Sequence, residues 1–265
     1  VPMLGLTLIG YFINGFRVEE FKLPGFWLVL FSSALFLCHG YSLNNIHDLK
    51  NDNNPVYFDF VLKHFRKLLV FSYVLLFLAF FLAYFINLSS FLLIVVGGLI
   101  SVFYSGLRLK NISVIRVLMN VFGFSILLAL GYFGSNSELL LKKFLLLFFF
   151  SFLFILYEII HELSHMEMDS IEYKNNTFTL LGRKNFVLVF YGLSILLFVY
   201  NFFVYKKLNA LFVPYFVNGS YLIAMNILFT SKLAMKEMNP SNATILRGVI
   251  TRLTLIYGVV FLLCL

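Results

Sequence analysis

Long apolar runs recur along the whole chain, and this feature constrains the fold more than any other. A helix needs about 20 apolar residues to cross the hydrocarbon core of a bilayer, or about 17 at the short end. With 61% hydrophobic and 12% charged residues, the composition lies outside that of soluble domains. We count nine runs, most of them long enough to cross: Val1–Phe16, Phe26–Leu43, Leu68–Ile86, Phe91–Leu107, Ile112–Phe133, Phe144–Ile160, Phe186–Tyr205, Leu211–Leu228 and Ile245–Leu265.

The predicted fold class is an all-α integral membrane protein. Backbone groups in lipid must be hydrogen-bonded within the protein, which leaves helices and closed barrels, and the alternating ten-residue segments of a barrel are absent. We therefore expect nine transmembrane helices around a central cavity, with cap loops at one face. They form a single domain, 1–265, with half-bundles at approximately 1–110 and 111–230 and a final helix at 245–265.

The distribution of Lys and Arg predicts the orientation. With the N-terminus inside, the outer connections carry only six of the 20 basic residues, and 14 lie at the inner side; the six are Arg17, Lys22, Lys142, Lys143, Lys206 and Lys207. The positive-inside rule thus predicts a multi-pass protein of the cell membrane whose active site faces the cytoplasm. The net charge of +8 is explained in the same way and does not indicate nucleic acid. No pattern indicates the oligomeric state.

Acidic residues are concentrated in two inner connections, Asn44–Lys67 and Glu158–Asn185, which contain eight of the twelve acids. Asn44, Asp48 and Asp52 recur every four residues. In the second connection the steps are four, three and four, over Glu158, Glu162, His165 and Asp169. Each set therefore shares one face of a helix that extends the preceding span. The two sets occupy equivalent places in the chain, which suggests a duplicated half-bundle around the cavity.

Stacked carboxylates repel one another, and they are costly to desolvate near a bilayer. A divalent cation offsets both effects, and Mg²⁺ binds through carboxylates, water and substrate phosphates. Two such acidic faces, if they meet, would hold Mg²⁺ ions that bridge the acids of the protein to a diphosphate. Alternatively, both segments are solvated helix ends whose acids pair with nearby Lys and Arg.

The stretch FYSGLRLKN supplies Tyr104, Arg108 and Lys110 at the inner end of the fourth run. Arg binds a phosphate through a bidentate fork and Lys binds it as a point charge. Ordinary anchors at the inner membrane surface explain the same residues.

These segments resemble the motifs of the UbiA-type intramembrane prenyltransferase superfamily. NNIHDLKND is similar to the first motif, N-D-x-x-D-x-x-x-D, with Asn45 in place of the first Asp. EIIHELSHMEMD is similar to the second, E-x-x-x-D-x-x-D-x-E-G-D, followed by a matching TFTLLGRKN. Glu162 and His165 stand where the family has Asp, and Met168 where it has Gly. YSGLRLK resembles the family's tyrosine and lysine element.

The resemblance implies Mg²⁺-dependent transfer of a polyprenyl group, within the membrane, from an allylic polyprenyl diphosphate to a lipophilic or aromatic acceptor. Its implied catalytic residues are Asp48, Asp52, Asp169 and Tyr104, and Tyr104 would stabilise an allylic cation through its ring face. Its implied substrate-binding residues are Asn44, Arg108, Lys110, Lys174 and His165. Its implied metal ligands are Asp48, Asp52, Glu162 and Asp169. The acceptor and the prenyl chain length are not indicated.

Two other functions fit parts of the sequence. His161, Glu162 and His165 form an H-E-x-x-H pattern, typical of zinc peptidases, with Asp169 within reach as a third ligand, but this reading leaves NNIHDLKND unexplained. A repurposed, non-catalytic isoprenoid-binding or transport protein would use the polar residues Asn120, Asn218 and Asn226, which hydrogen bonds between helices explain equally well. We interpret His39 as interfacial.

Overall fold

The computed structural model describes residues 3–13, 15, 17–48, 55–107, 109, 112–135, 141–164, 177–208, 212–233 and 240–264. Every regular element in these ranges is helical. After α1 (Leu4–Phe12), a short 3₁₀ helix spans Val18–Lys22. The other α-helices are α2 (Pro24–Asp48), α3 (Pro55–Ile86), α4 (Leu88–Ser105), α5 (Ser113–Gly134), α6 (Leu141–Ser164), α7 (Thr177–Leu208), α8 (Phe212–Leu233) and α9 (Pro240–Cys264).

Five of these helices contain segments long and apolar enough to cross a membrane: Pro24–Asp48, Asp59–Ile86, Leu88–Ser105, Val114–Gly134 and Asn185–Val204. Shorter apolar segments lie in α6 (Leu147–Ile159) and α8 (Phe216–Thr230). α1 has nine residues and rises about 14 Å at 1.5 Å per residue, less than the crossing expected of Val1–Phe16. The protein is an integral membrane protein, while the count of nine crossings and the central cavity stay predictions.

The chain divides into two compact units. The first comprises Val1–Phe12, Arg17–Lys110 and Gly123–Glu138, and the second comprises Ile13–Phe16, Asn111–Phe122 and Leu139–Leu265. In the first unit α2 packs on α1, α3 and α4, and α3 packs on α4. In the second, α6 packs on α7 and α9, and α8 packs on α7 and α9.

Small residues let helices of the first unit approach closely. A Cβ added to Gly10 would lie 2.0 Å from the Leu128 carbonyl oxygen, and one added to Gly131 would lie 2.1 Å from the Thr7 carbonyl oxygen. The backbones of α1 and α5 are therefore in direct contact, a packing mode that small residues permit in membranes.

A buried polar cluster joins α2, α3 and α4. His39 is fully buried, and its Nδ1 lies 2.9 Å from both the carbonyl oxygen and the Oγ of Ser72. Its Nε2 lies 3.0 Å from the Oγ of Ser101. The interpretation of His39 as interfacial is wrong, because three helices enclose the ring and supply its hydrogen-bond partners.

The second unit is also joined by polar side chains. Asn218 of α8 donates to Asn201 of α7 (3.2 Å) and accepts from the Tyr257 hydroxyl of α9 (2.6 Å). Tyr257 stacks on Tyr221, with ring centroids 4.2 Å apart. Hydrogen bonding between helices thus accounts for Asn218, whereas Asn226 donates to Leu222 of its own helix.

The inner connections are shorter than the expected Asn44–Lys67 and Glu158–Asn185, because helices extend into both of them. α2 continues to Asp48 and α3 begins at Pro55, since proline suits the first position of a helix. α6 continues to Ser164 and α7 begins at Thr177. Gly182 interrupts α7 with φ +70° and ψ 160°, a conformation accessible essentially only to glycine.

Candidate active site

The first acidic segment lies on the last turn of α2. Asp48 is the final residue of the helix, and the Asn44 side-chain amide, one turn earlier, donates to Asp48 Oδ2 at 2.7 Å. Both side chains are partly buried. The helix therefore carries a carboxylate at its end whose orientation is held by a neighbouring amide, as the four-residue spacing predicts.

Tyr104 lies in the last turn of α4, in the same unit as Asp48. The bond between His39 and Ser101 places these two residues at the same depth. Each helical residue adds 1.5 Å along the helix axis. Measured from that level, Tyr104 lies about 4.5 Å further along α4, and Asp48 lies about 14 Å further along α2. The tyrosine is therefore deeper in the bilayer than the carboxylate, by about 9 Å.

Glu158 is the acidic residue of the second segment whose side chain the structure describes, and it is only 3% exposed. The Asn120 amide of α5 donates to Glu158 Oε2 at 2.9 Å. Nδ1 of His161, one turn further along α6, lies 4.0 Å from the same oxygen. A buried carboxylate needs such partners because its desolvation is costly.

The pairing of Asn120 with Glu158 was not predicted from sequence. The sequence does show that each of the two is an isolated polar residue in an apolar run. Because they are 38 residues apart in the chain, it does not indicate which residues of α5 and α6 lie side by side. His161 lies three residues before the end of α6 at Ser164.

Most of the other predicted site residues fall outside the description. Those outside the described residues are Asp52, Arg108, Lys110, His165, Asp169 and Lys174. Position 162 lies within α6, but its side chain is not among those described. Their roles stay predictions. Of the predicted set, the structure brings together Asn44 and Asp48.

The described donors suit a hard cation. The end of α2 offers a carboxylate and an amide one turn apart, and oxygen atoms of this type are the ligands that Mg²⁺ prefers. No group of three or more His, Cys, Asp or Glu able to hold a metal occurs within the described residues, so a complete metal site would need ligands from outside them.

The sequence profile of the UbiA prenyltransferase family matches residues 3–247. The match covers nearly the whole chain, so this protein belongs to the UbiA prenyltransferase family. Members of this family are prenyltransferases. A comparison with curated proteins gives no match.

Solved structures with the same fold include a UbiA homologue from Archaeoglobus fulgidus bound to GPP and Mg²⁺. It is 19% identical, with a TM-score of 0.71 over 98% of this chain and 94% of that one. The same homologue bound to DMAPP and Mg²⁺ has 19% identity and a TM-score of 0.73 over 99% and 95%. A digeranylgeranylglyceryl phosphate synthase has 19% identity and a TM-score of 0.73 over 99% and 92%.

Proposed function

We propose that this protein transfers a prenyl group from an allylic prenyl diphosphate to a lipophilic or aromatic acceptor within the membrane, with Mg²⁺ as cofactor. The observation that carries the proposal is the Asp48 carboxylate at the end of α2, held by Asn44, in a chain of the UbiA prenyltransferase family. The Archaeoglobus fulgidus structures with Mg²⁺ and GPP or DMAPP support the choice of substrate class.

In this proposal, the first segment supplies Asp48 and Asp52 and the second supplies Glu162 and Asp169 as ligands of Mg²⁺. When bound, Mg²⁺ would neutralise negative charge on the leaving diphosphate. Arg108, Lys110 and Lys174 bind the diphosphate oxygens, because guanidinium and ammonium groups pair with them. Asn44 orients Asp48, and His165 contacts the substrate.

The reaction breaks the bond between the allylic carbon and the diphosphate oxygen, and the electron pair leaves with the diphosphate. The allylic cation is then captured by a nucleophilic atom of the acceptor, which releases a proton. The position of Tyr104, about 9 Å deeper than Asp48 by helical rise, suits a ring that faces the hydrocarbon part of the substrate and stabilises the cation. Apolar surroundings exclude water, which would otherwise capture the cation. We place the site at the cytoplasmic side because the inner connections carry most of the Lys and Arg.

The test measures binding of GPP and DMAPP to the purified protein with Mg²⁺ and with EDTA. We expect Mg²⁺-dependent binding that falls at least about tenfold in Asp48→Asn, Asp52→Asn and Asp169→Asn, because each removes a charge-assisted ligand. Asp59→Asn is the matched control, since Asp59 is an exposed acid on α3 outside the proposed site. Equal binding in all five proteins, or binding unaffected by EDTA, contradicts the proposal.

Turnover is measured separately with a panel of aromatic and lipid acceptors, by release of diphosphate. Because Asn45 and His165 stand where the family has Asp, binding and turnover need not fall together. Release of diphosphate that depends on both Mg²⁺ and an acceptor supports transfer. Binding without release, with every acceptor class, refutes the catalytic part of the proposal.

A further inference from the structure

A cluster of basic residues lies near the start of α3 and is not used by the proposed reaction. Lys63, Arg66 and Lys67 are all exposed. In the described part of the chain, no acidic side chain forms an ion pair with any of them. Three cations within five residues repel one another, so an anionic partner would stabilise them.

The cluster continues the lipid-facing stripe of α3. From Lys63 and Lys67, the exposed side chains recur at helical steps of three and four through Val70, Val74, Phe77, Phe81 and Tyr84. The opposite face carries the buried Ser72, Leu76, Ala79 and Ala83, which face α2 and α4. Ser32 of α2, for example, donates to the Ala79 carbonyl at 3.0 Å. The cations therefore point outward, on the side where the apolar part of α3 meets lipid.

The length of the apolar segment sets the depth of the cluster. Residues 68–86 contain no charged side chain, and at 1.5 Å per residue these 19 residues rise about 28 Å, close to the roughly 30 Å of a bilayer's hydrocarbon core. Lys67 is thus the first residue beyond the hydrocarbon, and Lys63 lies about 6 Å further out. This is the level of the phosphate groups.

Two contacts fix the cluster at the depth of the candidate site. The bonds between His39 and Ser72 join α2 and α3. Asp48 follows His39 by nine residues and Lys63 precedes Ser72 by nine, so both lie about 14 Å from these bonds by helical rise, at the same level. Near that level the rings of His47 and Phe65 are in contact, with centroids 6.4 Å apart. The cluster therefore lies at the membrane surface from which Asp48 is reached.

The described residues around the cluster also line a cavity of about 570 Å³. They are Leu62, Lys63, His64, Phe65, Arg66 and Lys67, which include no acid. This space is partly open to the surroundings and is large enough for a phosphate-bearing group.

We propose that Lys63, Arg66 and Lys67 form a binding site for the phosphate headgroup of an anionic phospholipid, beside the entrance to the candidate active site. Charge complementarity identifies the headgroup, and continuity with the lipid-facing stripe identifies the bilayer as its source. Basic residues at such a surface attract anionic lipid with about 1 kcal/mol each, which is about a fivefold effect per residue.

The test titrates the full-length protein, in neutral detergent, with short-chain phosphatidylglycerol or phosphatidylcholine, and counts bound lipid by native mass spectrometry. We expect phosphatidylglycerol to bind the wild type more tightly than phosphatidylcholine. In the variant Lys63→Gln, Arg66→Gln, Lys67→Gln, we expect binding of phosphatidylglycerol about a hundredfold weaker. The control removes three exposed charges elsewhere, Arg17→Gln, Lys22→Gln, Lys206→Gln, and should bind as the wild type does.

Equal binding of the two lipids, or an equal loss in the control variant, overturns the proposal, because general electrostatic attraction would then explain the result.

A second arm uses inorganic pyrophosphate with Mg²⁺. If the cluster variant loses pyrophosphate binding but keeps phosphatidylglycerol, the cations serve the diphosphate and the lipid site is refuted. The variant Lys63→Arg, Lys67→Arg keeps both charges and should bind phosphatidylglycerol as the wild type does; a loss there also refutes the site.

Discussion

A buried polar residue inside the first unit can be matched by partners from several helices, as His39 shows. Its Nδ1 faces the Ser72 carbonyl, which can only accept, so the hydrogen of a neutral imidazole lies on Nδ1. Nε2 lies 3.0 Å from the Ser101 Oγ, and the Ser101 hydroxyl donates to the Gly98 carbonyl of its own helix. One ring thus fixes the register of three helices, and through it the position of Asp48 at the end of α2.

We expect His39→Phe to lower the free energy of unfolding by about 1–3 kcal/mol, because a ring of similar size removes the buried hydrogen bonds that join α2 to Ser72 of α3 and to Ser101 of α4. The measurement is thermal unfolding in detergent. His64→Phe is the control, since that ring is partly exposed and contacts Phe60 with centroids 4.9 Å apart, a contact that a phenyl ring preserves. A His39→Phe protein as stable as the control would contradict the proposed role of the cluster.

The pairing of Asn120 with Glu158 is the corresponding case in the second unit. An amide near the start of α5 holds the carboxylate of a residue on α6, and Glu158 belongs to the second acidic segment. The spacing of that segment predicts which residues share a face of α6. It does not predict that the first of them is buried and bonded to another helix.

At the scale of helices, close backbone contact requires glycine at particular positions. On α5, Gly131 faces the Thr7 carbonyl of α1, whereas a Cβ added to Gly123 would meet nothing within 4 Å. The same helix therefore contains a glycine that packing requires and one that it does not.

We predict that Gly131→Ala destabilises the protein by about 1–3 kcal/mol, since a Cβ 2.1 Å from a backbone oxygen forces α1 and α5 apart. Gly123→Ala should be neutral or stabilising by up to about 1 kcal/mol, because alanine favours helix more than glycine does. Thermal unfolding of the two variants in the same detergent compares them directly. A smaller loss in Gly131→Ala than in Gly123→Ala would show that the two helices do not approach as described.

Helix ends also carry information about the membrane boundary. The chain's single Trp, Trp27, lies in the first turn of α2, is 44% exposed, and donates its indole N–H to the Phe21 carbonyl at 2.8 Å. Trp is enriched at membrane interfaces. Asp48 lies 21 residues further along the helix, about 31 Å by helical rise, so the two ends of α2 reach opposite surfaces of the bilayer.

For the molecule as a whole, this separation turns the proposed orientation into a measurable prediction. In a Cys38→Ser, Cys264→Ser background, single cysteines are introduced at Glu19 and at Asp59, both exposed. In intact cells, a membrane-impermeant maleimide should label Glu19→Cys, which precedes α2, and should label Asp59→Cys only after the membrane is opened. The reverse pattern would place the candidate site on the outer surface.

Much of the architecture was predictable because α2 to α5 each consist of an apolar run bounded by polar residues. The ends of the helices were less predictable, because polar residues such as Asn44 and Asp48 continue a helix as readily as they end one. Of the site, the sequence predicted the Asn44 and Asp48 pair through their four-residue spacing. The contact between α5 and α6 depends on packing between segments distant in the chain.

The sequence by itself determined that this protein is helical and embedded in a membrane, because the lengths of apolar runs and the need for internal backbone hydrogen bonds permit little else. The spacing of its acids and their likeness to two motifs predicted its family. Only the tertiary structure decided which face of each helix packs and which meets lipid, as His39 and the exposed stripe of α3 show. The physical reason is that protein interior and lipid are both apolar, so hydrophobicity alone does not distinguish the two faces.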